Sequence, residues 1–133
     1  MYNVLGCGID IEELSRFDKY INNSDISFME NFCTERELRN VYGNKRVRYA
    51  LSFCCKEAFF KALGVSWTNS DISWKNIELL FSGPDFYHYK VNIHAYAEEL
   101  LRKNNAIIGE TSLDYNEEFV AFQVVILKNC DDR

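Results

Sequence analysis

The pattern that organises the chain lies at residues 46–64, Arg-Val-Arg-Tyr-Ala-Leu-Ser-Phe-Cys-Cys-Lys-Glu-Ala-Phe-Phe-Lys-Ala-Leu-Gly. It lacks proline, is rich in helix formers and ends on Leu63-Gly64, so it predicts one helix stopped by a left-handed glycine. Leu51, Cys55, Ala58 and Ala62, together with Phe53, Phe60 and Leu63, give it more apolar surface than one packed face needs. Most of this helix is therefore expected to be buried. Earlier, residues 4–12 alternate as a strand does: Leu5, Cys7, Ile9 and Ile11 form an apolar face, and Val4, Gly6, Gly8, Asp10 and Glu12 a nearly bare one. The two glycines leave room there for a ligand or for another stretch of backbone.

Between these two segments, Ser15 is placed to cap a short helix through Ile21, and Asn23-Ser24-Asp25 breaks it before an amphipathic segment at 26–32. Thr34 and Glu37 match a capping box, which gives Glu37 a structural task at the start of a helix that fades near Tyr42-Gly43. After the long helix, residues 67–73 read as a polar loop and 77–81 as a short strand. Gly83-Pro84 marks a turn, and Tyr87, Tyr89, Val91 and Ile93 alternate as in a half-exposed strand. A helix is predicted over 95–103, with Tyr96, Leu100 and Leu101 inward. Residues 107–115 and 119–127 form an antiparallel pair joined by Asn116-Glu117-Glu118. In the last strand both faces are largely apolar, so it should be central in its sheet. The order β, three helices, β, β, α, β, β is α+β, an antiparallel sheet packed against a long central helix.

Composition narrows the function. At 133 residues, with 47% hydrophobic and 15% aromatic side chains, the chain fits one folded domain over 1–133. A net charge of −5 and the absence of a Lys/Arg track argue against a nucleic-acid partner. No apolar run approaches membrane-spanning length, and the start lacks the features of a signal peptide, so no membrane role and a cytoplasmic location are expected. Cys7, Cys33, Cys54, Cys55 and Cys130 lack metal-binding spacing, which favours reduced thiols and argues against structural zinc.

Two small sets of residues carry candidate chemistry. Asp10 and Glu12 point to one side of a strand; they suit either solvated edge charges or a hard cation such as Mg²⁺, which takes one or two carboxylates and completes its shell with water and phosphate oxygens. Glu57 and Lys61 lie four apart on the long helix, roughly 6 Å along its axis. They suit either a surface ion pair or a shared ligand. Phenylalanines and cysteines flank Glu57, so its carboxylate needs a partner to offset desolvation. His88 and His94 have no Ser or Cys nearby in the pattern and read as incidental.

Gly6-x-Gly8-Ile9-Asp10-Ile11 followed by Phe53-x-x-Lys56-Glu57-Ala58-x-x-Lys61-Ala62-Leu63-Gly64 resembles the two signature motifs of the phosphopantetheinyl transferases. Length and start point are similar to the short branch, holo-acyl-carrier-protein synthase, and the likeness extends through Arg16, residues 32–37 and the last two strands. The resemblance implies transfer of 4′-phosphopantetheine from coenzyme A to a serine of an apo acyl or peptidyl carrier protein. The by-product is adenosine 3′,5′-bisphosphate and Mg²⁺ is required. By position, Asp10 and Glu57 would bind the metal, with Glu12 at a further ligand position known from the longer branch and Glu13 at the acidic position of the short one. Lys61 would meet the phosphate beside the leaving group, Glu57 would also be a candidate base, and Ser112 and Arg48 would join Lys61 around the coenzyme. Arg16 would face the carrier. The family's short members form homotrimers with sites between subunits.

Three departures stand out. Ser112-Leu113-Asp114-Tyr115 replaces a run that usually ends in histidine, Ser52 replaces an arginine, and Ser24, Ser27 and Asn31 replace basic residues that receive the carrier. They open a second reading, a catalytically weak relative acting as a carrier-binding or scaffolding module. A generic Mg²⁺-dependent nucleotide hydrolase has less support, because no phosphate-cradling Gly-x-x-x-x-Gly-Lys loop is present.

Overall fold

A computed structural model describes residues 1–22, 27–40, 42–66 and 71–130. The chain opens with β1 (Tyr2–Glu13) and continues through a 3₁₀ turn into α1 (Asp18–Asn22), α2 (Ser27–Phe32), α3 (Glu35–Arg39) and α4 (Lys45–Leu63). Strands β2 (Ile77–Phe81) and β3 (Tyr89–Ile93), helix α5 (Ala95–Lys103), and strands β4 (Ala106–Tyr115) and β5 (Phe119–Asn129) complete it. This is the expected α+β order, with four α-helices in the helical block instead of three. The strands form two antiparallel sheets, β1-β5-β4 and β2-β3. Strand β5 is central, as its two apolar faces predict, and Val120, Phe122, Val124 and Ile126 are buried beneath α4.

Helix α4 begins at the Asn44 cap, whose side chain accepts from the Val47 N–H at 3.1 Å, and stops at Gly64 with φ 69°. The helix is buried along most of its length, as its apolar surface requires. Phe53 meets Phe17, Phe32 and Trp74 in an aromatic cluster. The capping box of α3 is present in both directions: Glu37 N–H donates to Thr34 Oγ1 (3.1 Å), and Thr34 N–H to Glu37 Oε1 (2.9 Å). This helix ends earlier than predicted. Asn40 is extended, and its side chain binds the Phe81 N–H and carbonyl, each at 3.0 Å, which ties the chain to β2 instead of adding a turn.

Ser15 does not cap α1. It lies inside the 3₁₀ turn Leu14–Phe17, with its hydroxyl toward Glu13, and α1 starts only at Asp18. Asn23-Ser24-Asp25 and much of the 67–73 loop lie outside the described residues. Cys7, Cys33, Cys54 and Cys55 are free thiols, the last three buried. No helix among the described residues is long and apolar enough to cross a membrane.

Strand β1 buries the face that the sequence left bare. A Cβ on Gly8 would lie 1.8 Å from the Ala58 carbonyl oxygen, and one on Gly6 2.0 Å from that of Ala62. The glycines thus admit the α4 backbone, the second of the two uses that their pattern allowed. Ile9 and Ile11, on the opposite face, are 54% and 61% exposed. Val4 is also exposed, because a bulge between Val4 and Gly6 shifts the alternation before the glycine face begins.

Candidate active site

The close approach of β1 and α4 brings Asp10 and Glu12 from the strand to Glu57 and Lys61 from the helix. Lys61 Nζ donates to Asp10 Oδ1 at 3.0 Å and to the Ile9 carbonyl at 2.9 Å, so it reaches across to the strand instead of pairing with Glu57. The Cys54 thiol donates to the Asp10 carbonyl at 3.0 Å and fixes the strand from below. Asp10 is 8% exposed, and its second carboxylate oxygen, Oδ2, is buried with no hydrogen-bond partner among the described residues. Glu12 pairs with Arg16. Glu57 is half-buried, and no described residue gives it a hydrogen bond or an ion pair.

Three carboxylates and two cations therefore share this corner, and the acids carry the strain. Burial, hydrogen bonding to Asp10 and the Asp10 charge push Glu12 up to about 7, against the pull of Arg16. Burial first, then the Asp10 charge, raises Glu57 above the usual carboxylate range, while Lys61 and Arg16 oppose the shift. The hydrogen bond to Asp10 and the neighbouring charges raise Lys61, so it stays an ammonium at neutral pH. Acids left short of compensating charge in a partly buried corner make a candidate functional site.

The donor set fits a hard divalent cation. The orphaned Asp10 Oδ2 is a buried oxygen in need of a positive partner, and every candidate ligand is a carboxylate. No three His, Cys, Asp or Glu residues converge to enclose a metal among the described residues. Mg²⁺ does not demand such a cage, since water and substrate phosphates fill most of its shell.

Other predicted residues lie elsewhere. Arg48 is buried, and its guanidinium donates to the carbonyls of Tyr42 (3.1 Å) and Gly43 (3.4 Å), about 20 Å along the helix from Lys61. Ser112 lies on the outer face of the sheet, in register with Gln123 and Ile9, opposite to the face that carries Asp10. Glu13 is exposed and approached by Ser15. Arg16 is 58% exposed along its side chain, with its guanidinium 5.2 Å from the Phe53 ring centre. His88 and His94 bind Asp85 and Glu78 and touch none of the acid cluster.

Ser52, at the usual arginine position, is buried and donates to Glu37 Oε2 at 2.6 Å. Asp114 is exposed and accepts from the Tyr87 hydroxyl and the Tyr115 N–H, each at 2.8 Å, which holds its carboxyl below the usual range. Tyr115 packs against Phe86 and Tyr87. Sequence reasoning gave no role to Lys56. Its visible signals are its named place in the helix motif and its setting as a cation among Cys54, Cys55, Ala58 and Phe59.

The family model of the 4′-phosphopantetheinyl transferase superfamily matches residues 6–109, which include β1 from Gly6 onward, α4 and the whole acid cluster. The chain belongs to this superfamily. As a phosphopantetheinyl transferase it is similar to the holo-[acyl-carrier-protein] synthase of Geobacter sp. strain M21, 31% identical over 102 residues that cover 75% of this chain and 79% of that one. The synthase of Syntrophus aciditrophicus is 30% identical over 133 residues, covering 97% and 99%. The match to the Geotalea daltonii synthase is 35% identical over 79 residues and spans 62% of that protein.

Among solved structures, the transferase resembles a holo-(acyl-carrier-protein) synthase from Bacillus anthracis in complex with CoA (3′,5′-ADP). That match has a TM-score of 0.70 at 26% identity and covers 95% of this chain and 98% of that one. The Neisseria meningitidis synthase shares the fold, with a TM-score of 0.79 at 23% identity over 93% and 98% of the two chains.

Proposed function

We propose that this transferase moves 4′-phosphopantetheine from coenzyme A to a serine hydroxyl of an apo acyl or peptidyl carrier protein and releases adenosine 3′,5′-bisphosphate. One observation carries the reading: Asp10, Glu57 and Lys61 lie together in a corner where one buried Asp10 oxygen, Oδ2, has no hydrogen-bond partner among the described residues. In the reaction, the serine oxygen forms a bond to the pantetheine-side phosphorus, the bond from that phosphorus to the bridging oxygen breaks, and the serine proton passes to a base. Charge grows on the non-bridging and leaving oxygens, so a preorganised cation beside them lowers the barrier. Lys61 is that cation: an ammonium, 52% exposed at its side chain and anchored by Asp10.

Asp10 and Glu57, with Glu12, would hold Mg²⁺, which supplies charge neutralisation on the pyrophosphate oxygens. Glu57 is the candidate base, since a raised carboxylate pKa lies nearer the operating pH. Arg16, largely exposed, presents a cation to an acidic carrier. A homotrimer in the cytoplasm completes the reading. Leu5, Ile9, Ile11 and Ile107 form an exposed apolar face that a second copy can cover, each side chain contributing about 1.5–3 kcal/mol if fully buried. Ser112 lies on that same face and can meet Lys61 only from a neighbouring copy.

Incubation with coenzyme A, Mg²⁺ and a panel of apo carriers, followed by weighing the products, tests the proposal. The carrier should gain one phosphopantetheine, the native protein should weigh three chains, and Glu57→Gln or Lys61→Ala should slow transfer by about a hundredfold or more. Variants as active as the parent would remove the site assignment. Coenzyme A binding without transfer to any carrier would favour the scaffolding module.

A further inference from the structure

Arg16 is the one described cation that pairs with Glu12, and the partners differ in freedom. The Glu12 side chain is 10% exposed and locked beside Asp10, whereas that of Arg16 is 58% exposed and rests over Phe53. A buried carboxylate must be compensated by something. Without a divalent cation, the guanidinium does this. With one, the ion and the guanidinium compete for the same oxygens and repel each other.

We propose that Arg16 is a built-in competitor of the divalent cation for Glu12, and that an acidic carrier surface, by drawing Arg16 away, tightens cation binding. This rests on the reading of Asp10, Glu12 and Glu57 as the cation site and of Arg16 as facing the carrier. In the structure Arg16 holds one position, paired with Glu12 while its guanidinium rests over Phe53, and its exposed side chain has room to turn outward once an ion takes the carboxylate. Linkage makes the effect mutual, so the cation strengthens carrier docking by the same factor as the carrier strengthens cation binding. Arg16 acts through Glu12 and is in that sense a positioning residue; the serine and the phosphate are met by other groups.

The test uses Mn²⁺ as the probe ion, with free Mn²⁺ followed by electron paramagnetic resonance in the full chain. Arg16→Gln should bind Mn²⁺ about fivefold or more tightly than the parent, and Arg16→Lys should stay close to it. Glu12→Gln should bind more weakly, and adding Arg16→Gln to it should restore nothing. A saturating apo carrier, corrected for its own Mn²⁺ binding, should tighten binding in the parent by about the same factor and leave Arg16→Gln unchanged. If Arg16→Gln binds Mn²⁺ no better than a binding-competent parent, the competition is refuted and the site reading stands. If neither the parent nor Arg16→Gln binds Mn²⁺ at millimolar concentration, the site reading falls and the inference with it. Circular dichroism melting confirms that each variant is folded.

Discussion

Lys56 and Glu57 are neighbours in sequence and opposites in surroundings. Lys56 is fully buried, and its ammonium donates to both Glu37 oxygens, at 2.8 and 3.1 Å, and to the Ile77 carbonyl, which uses all three of its donors. Glu37 accepts in addition from Ser52, Thr34 N–H and Leu79 N–H. On the other side of the helix, Glu57 has no partner among the described residues, and Asp10 keeps one buried oxygen empty. The first set joins α3, α4 and β2 with every valence used. The second leaves charge and oxygens open in a half-exposed corner. Saturation separates structural charge from charge held ready for a ligand.

The largest expected effect comes from breaking the saturated side. Lys56→Met leaves the Glu37 carboxylate buried without its cation and should cost about 3–5 kcal/mol, read by urea unfolding. Glu57→Gln, one residue on, should leave stability unchanged or raise it, because it removes a raised acid from a like-charged corner. Equal losses in the two variants would erase the distinction between the sides.

The next effect is in the pH profile, where the two sides should tilt in opposite directions. Burial of Glu78 acts to raise its carboxyl, but hydrogen bonds from Thr34, Asn92 and His94, with the charge of Arg36, outweigh it and hold the group below its ordinary value. Its stabilisation is present above the unfolded value and is lost as pH falls through the lower folded one. Glu12 and Glu57 are raised, so their contribution is present below about 4.5 and is lost as pH climbs, for Glu12 through about 7. Melting curves should therefore show Glu78→Gln flattening the acid limb and Glu57→Gln flattening the neutral one. Added Mg²⁺ should raise the melting temperature more at pH 7.5 than at pH 5, since it binds only ionised carboxylates.

Much of this contrast was legible in the sequence, and the rest failed for identifiable reasons. The α3 capping box, the glycine stop of α4 and the central place of β5 follow from local chemistry and period, and all three are present. Periodicity alone would put Leu5, Cys7, Ile9 and Ile11 of β1 inward; the structure turns Gly6, Gly8, Asp10 and Glu12 toward α4 instead, because only the two glycines, without Cβ atoms, admit a helix backbone so closely. The resemblance put Arg48 with Lys61 around the coenzyme, yet it turns inward to satisfy the carbonyls that precede α4. Lys56 was hidden because its partner Glu37 lies nineteen residues away on another helix. Spacing rules see neighbours within one element, and buried ion pairs are made between elements.

The smallest predicted effect sharpens the comparison most, because it removes one hydrogen bond and little volume. Ser52 is the residue found where the family usually has arginine, and its hydroxyl points into the saturated side, 2.6 Å from Glu37 Oε2 and 3.8 Å from the Cys33 sulfur. Ser52→Ala leaves Glu37 its ammonium and backbone donors, so the loss should be that of a single charge-assisted bond, about 1.5–3 kcal/mol at most, and below that of Lys56→Met. Transfer rate per folded molecule should not change, since nothing in the acid cluster contacts Ser52. If turnover fell while unfolding stayed put, the two sides of α4 would be communicating through the helix, and Ser52 would belong with the site. If stability fell alone, serine at this position is part of the scaffold and stands apart from the acid cluster.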